Sequence, residues 1–121
     1  VEKRAVSSGP ENRFIAAVHR LLPKELHREK THNQYRGGTF DVWYSGKADM
    51  WVEYKWLGVM PKKKEYVVPG LSELQLLWGC GRHAEGRRVA VVLGCPQGGA
   101  VYLAPETWKA GVRLEEVTEK L

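Results

Sequence analysis

The segment Trp51-Val52-Glu53-Tyr54-Lys55 sets an acid and an ammonium two positions apart within a run of aromatic and β-branched residues. Side chains alternate between the faces of a β-strand, so Glu53 and Lys55 share a face if this run is extended. A second acid, Asp41, sits in the similar run Thr39 to Tyr44, and Ser45-Gly46-Lys47 between the runs is turn-forming. A hairpin pairing about Lys47 sets residue 41 opposite residue 53, on the same face. Two carboxylates and a lysine then meet on a patch about ~5 Å wide. The condition is an odd-length turn, because a two-residue turn would carry Asp41 to the other face.

Carboxylates forced together repel, and a divalent cation relieves that repulsion. Magnesium suits an all-oxygen site that leaves room for water and phosphate oxygens, and Mn²⁺ is expected to substitute. Such a cation stabilises charge on a phosphodiester transition state and activates water, while Lys55 is placed to orient that water or to neutralise the phosphorane. The same three residues also fit a cross-strand ion pair on a solvated face.

This arrangement resembles the PD-(D/E)xK nuclease superfamily, whose mark is an acid at the end of one strand and an acid-x-lysine triplet on the next. The wider order of Glu11, Gly38-Thr39-Phe40-Asp41, Glu53-Tyr54-Lys55 and Ser72-Glu73-Leu74-Gln75 is similar to the virus-type replication-repair nuclease (VRR-NUC) family across roughly residues 9 to 103. The resemblance implies a restriction-endonuclease-like α/β core. It also implies Asp41, Glu53 and the backbone carbonyl of Tyr54 as metal ligands, Lys55 as the catalytic lysine, and Glu11 and Gln75 as supporting site residues. Phe40 stands where the family usually has proline, a residue that shapes the turn and supplies no ligand. Small members of the family are homodimers acting on branched DNA such as four-way (Holliday) junctions, and that substrate and assembly are implied here by resemblance alone.

The elements that must position these residues are legible in outline. Phe14, Ile15, Val18, Leu21 and Leu22 recur at helical spacing before Pro23, which predicts a helix over 10–22. Ser8 and Glu11 have capping-box spacing, which gives Glu11 a structural role beside its implied one. A weak strand is expected within Leu26 to Thr31, then the hairpin strands Thr39 to Tyr44 and Met50 to Trp56. Leu57 to Gly70 reads as a mobile basic loop. Ser72 caps a helix over 73–84 whose apolar spacing is Leu74, Leu77 and Trp78, and Gln75 completes its capping box. Val89 to Leu93 suits a buried strand, Ala100 to Leu103 a further one, and Pro105 the start of a short helix. The order implies a central mixed β-sheet with helices on its faces, in one nuclease domain over 1–121, with a core at about 9–103 and a C-terminal extension over 104–121.

Composition agrees with a nucleic-acid partner. The chain of 121 residues has 19 Lys and Arg against 14 Asp and Glu, a formal net charge of +5 that favours polyanions. Lys62, Lys63 and Lys64 directly follow the proposed catalytic strand, where a duplex backbone must pass, and Lys30, Arg36 and Lys47, with Arg28, are weaker candidates for phosphate contact. Such a charge run also suits a solvated loop. No apolar run approaches the ~18 residues of a spanning helix, so no membrane partner is expected, and a phage or bacterial protein in the host cytoplasm is. With two cysteines, Cys80 and Cys95, no disulfide is expected, and both thiols read as core fillers. Cys80 and His83 lack partners for a zinc site, and Trp43, Trp51 and Trp56 read as core. The sequence reading is therefore a Mg²⁺-dependent, structure-selective DNA endonuclease. The alternatives are a flap, nick or duplex nuclease and a catalytically silent DNA-binding module.

Overall fold

The computed structural model describes residues 9–31, 37–59, 66–96 and 98–113. Helix α1 (Gly9–Leu21) is followed by β1 (His27–Lys30), β2 (Val42–Ser45) and β3 (Met50–Trp56). The chain continues through β4 (Tyr66–Val67), α2 (Glu73–Ala84), β5 (Val89–Cys95), β6 (Gly98–Tyr102), α3 (Pro105–Ala110) and β7 (Val112–Arg113). Five strands form one sheet in the order β1-β2-β3-β5-β6, in which β3 and β5 are parallel and the other neighbours antiparallel. A parallel pair needs a crossover, and the segment containing α2 supplies it. The expected architecture, a mixed sheet flanked by helices, is the one found.

Alternation along β3 divides the core in two. Val52 and Tyr54 join Phe14 and Ile15 of α1, Val42, Tyr44 and Ala90 on one face. On the other, Trp51 packs beside Phe40, Val91, Leu93, Tyr102 and Trp108, with Leu76 and Trp78 of α2. Trp43 and Trp56 are only partly buried, as is Trp51; Trp43 and Trp51 lie ring against ring, and Trp56 packs on Phe14 on the α1 face. Glu53 and Lys55 therefore belong to the α2 side.

The helix bounds match the sequence pattern more closely than the helix faces do. Leu77 is 73% exposed and Leu74 also faces out, whereas Leu76, Trp78 and the buried Gly79 face in. A Cβ on Gly79 would lie 2.6 Å from Phe40 Cζ and 2.8 Å from Trp108 Cζ3. The inner face thus centres on a glycine, which hydrophobic periodicity cannot register. Gly79→Val is expected to destabilise the fold by about 1–3 kcal/mol through overpacking, read from denaturant unfolding; an unchanged midpoint would count against this contact. On α1, Leu21 lies on the flank of the apolar stripe, 78% exposed above a groove lined by Phe14, Val18, Val92, Ala100 and Val101.

Three further expectations are corrected. The end of the supposed loop over 57–70 forms β4, which pairs with β7, and Val67 O accepts a hydrogen bond from the Tyr102 hydroxyl at 2.9 Å. Two-residue strands carry no alternation from which to read them. Strand β2 begins at Val42 rather than Thr39, because the chain bends at Asp41. Cys80 is exposed on α2 and only Cys95 is buried; both are free thiols. Beyond residue 103 the chain still contributes to the core, since Trp108 is buried and its indole N–H donates to Tyr102 O at 2.9 Å. Among the described residues no helix is long and apolar enough to cross a membrane.

Candidate active site

The hairpin register decides which side chains can meet. Val42 pairs with Val52, Trp43 with Trp51 and Tyr44 with Met50, a register centred on Lys47 with an odd-length turn. Asp41 consequently falls opposite Glu53, and its backbone N–H donates to Glu53 Oε1 at 3.1 Å. Glu53 is 3% exposed, the one charged residue among the buried side chains described. Gln75 Nε2 donates to Glu53 Oε2 at 2.8 Å, and Lys55 Nζ stands 3.5 Å from the same oxygen. Among the described residues the three groups placed on this buried carboxyl, the Asp41 N–H, Gln75 Nε2 and Lys55 Nζ, are all donors that favour its ionised form.

Gln75 reaches Glu53 because its other atoms are already committed to the start of α2. Its Oε1 accepts from the Ser72 backbone N–H at 3.0 Å, and its own N–H donates to Ser72 Oγ at 3.1 Å. The capping box and the contact with Glu53 coexist, with the cap fixing the amide so that Nε2 points at the acid. Gly38 brings this helix close. Its φ is +105°, and a Cβ there would lie 2.4 Å from Leu74 O, so both backbone conformation and space call for glycine.

Charge is unevenly balanced across the patch. Burial, then the charge of Asp41, raises the Glu53 carboxyl to about 8, although Lys55 and the Asp41 amide pull the other way. Asp41 is itself raised by burial against the opposing charges of Lys30 and Lys55 and a backbone hydrogen bond from Tyr54. Glu11, on the first turn of α1, is raised by burial and by Asp41 and lowered by Lys55 and Lys30, so it belongs to the same electrostatic neighbourhood. Two acids held this close at a water-poor site form a hard, all-oxygen donor set with an unmet demand for positive charge. Among the described residues no group of three or more His, Cys, Asp and Glu side chains is arranged to hold a metal ion, and Cys80 and His83 form no such group. Magnesium commonly binds through one or two carboxylates and keeps several waters, so Asp41 and Glu53 with a backbone carbonyl fit it.

The structure gathers Asp41, Glu53, Lys55 and Gln75 and sets Glu11 beside them. Lys30 joins this neighbourhood, with Nζ 3.4 Å from Asn12 Oδ1 at the start of α1. Lys47 lies in the hairpin turn, roughly 15–20 Å from Asp41 at the rise of extended chain. Arg28 is occupied with the carbonyls of His19, Pro23 and Leu26. Arg36, Lys62, Lys63 and Lys64 lie outside the described residues, as does Ser8 of the expected first cap. Sequence reasoning passed over Thr31. The β1–β2 register ends at Lys30 with Val42, and Thr31 follows opposite Asp41, donating its N–H to Asp41 O at 2.6 Å. The signal available was a hydroxyl residue at the end of a strand too polar to show a face.

No family model and no curated protein matches this chain. Among solved structures it is similar to that of Hjc from Archaeoglobus fulgidus, a Holliday junction resolvase from an archaeal hyperthermophile. The TM-score is 0.50, and the match covers 77% of this chain and 74% of that one at 11% identity. The two chains share a fold. The likeness to Hjc lies in the architecture of sheet and helices, and the site residues stand on their own geometry.

Proposed function

We propose that this chain is one domain of the PD-(D/E)xK class, of VRR-NUC type, that hydrolyses DNA phosphodiesters with Mg²⁺ or Mn²⁺. The observation that carries the reading is the buried Glu53 carboxylate, held by the Asp41 amide and Gln75 and flanked by Lys55. An ion pair on a solvated face has no use for a 3% exposed acid positioned by a helix-capping glutamine.

In this reading Asp41, Glu53 and the Tyr54 carbonyl hold the cation. When bound, it supplies Lewis-acid stabilisation of charge on the phosphoryl oxygens and makes water more acidic. Gln75 keeps Glu53 in the orientation its ligand role demands, and the low exposure of Glu53 keeps competing water away. Lys55 Nζ orients the attacking water and offsets charge that builds on the equatorial oxygens. The water oxygen bonds to phosphorus, its proton leaves, the opposite P–O ester bond breaks, and the departing alkoxide takes up a proton. Glu11 and Lys30 act at the margin of this patch, where Lys30 shares the electrostatic neighbourhood of Asp41 and Glu11.

The fold shared with a Holliday junction resolvase favours branched DNA as substrate, and the VRR-NUC resemblance of the sequence adds a homodimer as the acting form. Lys62, Lys63, Lys64, Arg36, Lys30 and Lys47 are the proposed phosphate contacts. A labelled four-way junction incubated with Mg²⁺, beside flap, nicked and linear duplex controls, tests the substrate. We expect symmetric cuts in the junction at a rate at least ~10-fold above linear duplex, the scale of discrimination that shape-dependent contacts provide. Duplex cut as fast as the junction would overturn the preference. Binding without cutting in any metal would make the chain a silent DNA-binding module.

A further inference from the structure

Asp41 stands where the regular sheet ends, so something must hold it there. It precedes β2 at a bend, and its partners across the sheet are residues of β3 and the residue that follows β1. In an extended strand successive carbonyls point in opposite directions. Here the carbonyls of Phe40 and Asp41 both reach one side chain: Thr31 Oγ1 lies 2.5 Å from Phe40 O and 2.9 Å from Asp41 O. That convergence requires the backbone to turn between the two residues. The Thr31 N–H adds a third contact to Asp41 O at 2.6 Å.

The two sides of the bend are fixed independently. Phe40 is fully buried against Trp78 and Trp108, and Val42 is locked in the ladder between β1 and β3. The two peptides between them take their direction from Thr31, which holds both carbonyls, and from Glu53 Oε1, which accepts the Asp41 N–H. With the bend in place, the Asp41 N–H faces Glu53 Oε1, and the Asp41 carboxyl shares the neighbourhood of Glu53, Lys55 and Lys30.

We infer that the Thr31 hydroxyl is a positioning device for catalysis, setting the direction of Asp41 relative to Glu53 by bridging two consecutive carbonyls. This role rests on the nuclease reading given above. Thr31 touches neither DNA nor the reacting atoms; it acts through Asp41.

Thr31→Val tests it, because valine keeps the β-branched shape and the backbone N–H and removes only the hydroxyl. Groups that hold a metal ligand in place through hydrogen bonds typically govern 10–100-fold in metal affinity or activity. In the full chain with a DNA substrate, Thr31→Val is therefore expected to lower kcat by about 10–100-fold. It should raise the Mg²⁺ concentration for half-maximal cutting by a similar factor. KM for DNA stays as in the wild type, which a general loss of structure would not leave alone. Thr31→Ser, which keeps the hydroxyl, restores both kcat and the Mg²⁺ dependence. Should Thr31→Val fail to fold, Thr31→Ser against Thr31→Cys carries the comparison, since a thiol is a weak donor. A wild-type chain that cuts while Thr31→Val, or Thr31→Cys, cuts equally well with the same Mg²⁺ dependence overturns the inference alone. A wild-type chain that cuts no DNA overturns the nuclease reading and this role together.

Discussion

Glu53→Gln is expected to lower DNA cleavage by roughly 10³-fold with little change in DNA affinity, and Lys55→Ala by about 10²–10³-fold. The glutamate is the centre of the site's electrostatics. Its two oxygens accept from the Asp41 N–H, Gln75 Nε2 and, more distantly, Lys55 Nζ. A glutamine side chain offers one carbonyl oxygen to partners that are all donors, so its own NH₂ must face another donor. The Gln75 amide cannot flip to compensate, because its Oε1 is engaged by the Ser72 N–H. In the proposed mechanism loss of the charge removes a cation ligand, and the mismatch disturbs the capped end of α2. Among the described residues Lys55 is the ammonium beside Glu53, and Lys55→Ala removes it and leaves the acids in place, so it separates the proposed transition-state stabilisation from cation binding. Single-turnover cleavage with Mg²⁺, together with DNA binding in Ca²⁺, measures the two effects. Metal-dependent cutting that survives either substitution at near wild-type rate would remove these residues from the mechanism.

The strands and helices could be located from the sequence because their patterns are local. The Trp51 to Lys55 alternation and the spacing of 41 and 53 about Lys47 contain the register, and the register is what the paired strands adopt. The capping spacing of Ser72 and Gln75 likewise gives the start of α2. What the sequence concealed depends on tertiary contact. Gly79 is a poor helix former by type and is the point where Phe40 and Trp108 meet α2. Leu74 and Leu77 looked like an inner face because leucines count in periodicity and glycines do not. The pairing of β4 with β7 brings together two dipeptides with no alternation to mark them.

The site shows the same division. Asp41, Glu53 and Lys55 are related by spacing along two adjacent strands, so a sequence can place them together. Gln75 and Thr31 arrive from other elements. Gln75 has a sufficient local explanation as a cap, and its second partner emerges only when Gly38 lets α2 approach the sheet. Thr31 ends a strand of mostly exposed polar residues, where no face is written in the pattern. Both are joined to the acids through hydrogen bonds whose geometry depends on how the backbone turns, and turning is set by contacts remote in sequence.

The same crowding of acids predicts that the cation-free fold loses stability as pH rises. Glu53 sits at about 8 in the fold against an ordinary 4.5, and Asp41 and Glu11 are displaced in the same direction. A carboxyl raised by folding binds its proton more tightly in the native state, so its favourable contribution is complete below about 4.5 and is lost as pH climbs through about 8. For Glu53 the ceiling is roughly 5 kcal/mol, and a few kcal/mol is the working expectation. His19 works in the opposite sense. Burial and Arg28 lower its pKa, so its contribution is present above 6.5 and is lost as pH falls through the depressed value in the fold. The informative quantity is therefore the difference between wild type and Glu53→Gln, which have His19 in common. In EDTA, wild-type stability relative to Glu53→Gln should decline between pH 5 and 9. Added Mg²⁺ should recover more stability at pH 8 than at pH 5, because it binds the ionised acids. Chemical unfolding at several pH values, with and without Mg²⁺, measures both. A difference curve that is flat or rises with pH would mean that Glu53 is ionised at no cost, and the unmet charge on which the proposed cation site rests would be absent.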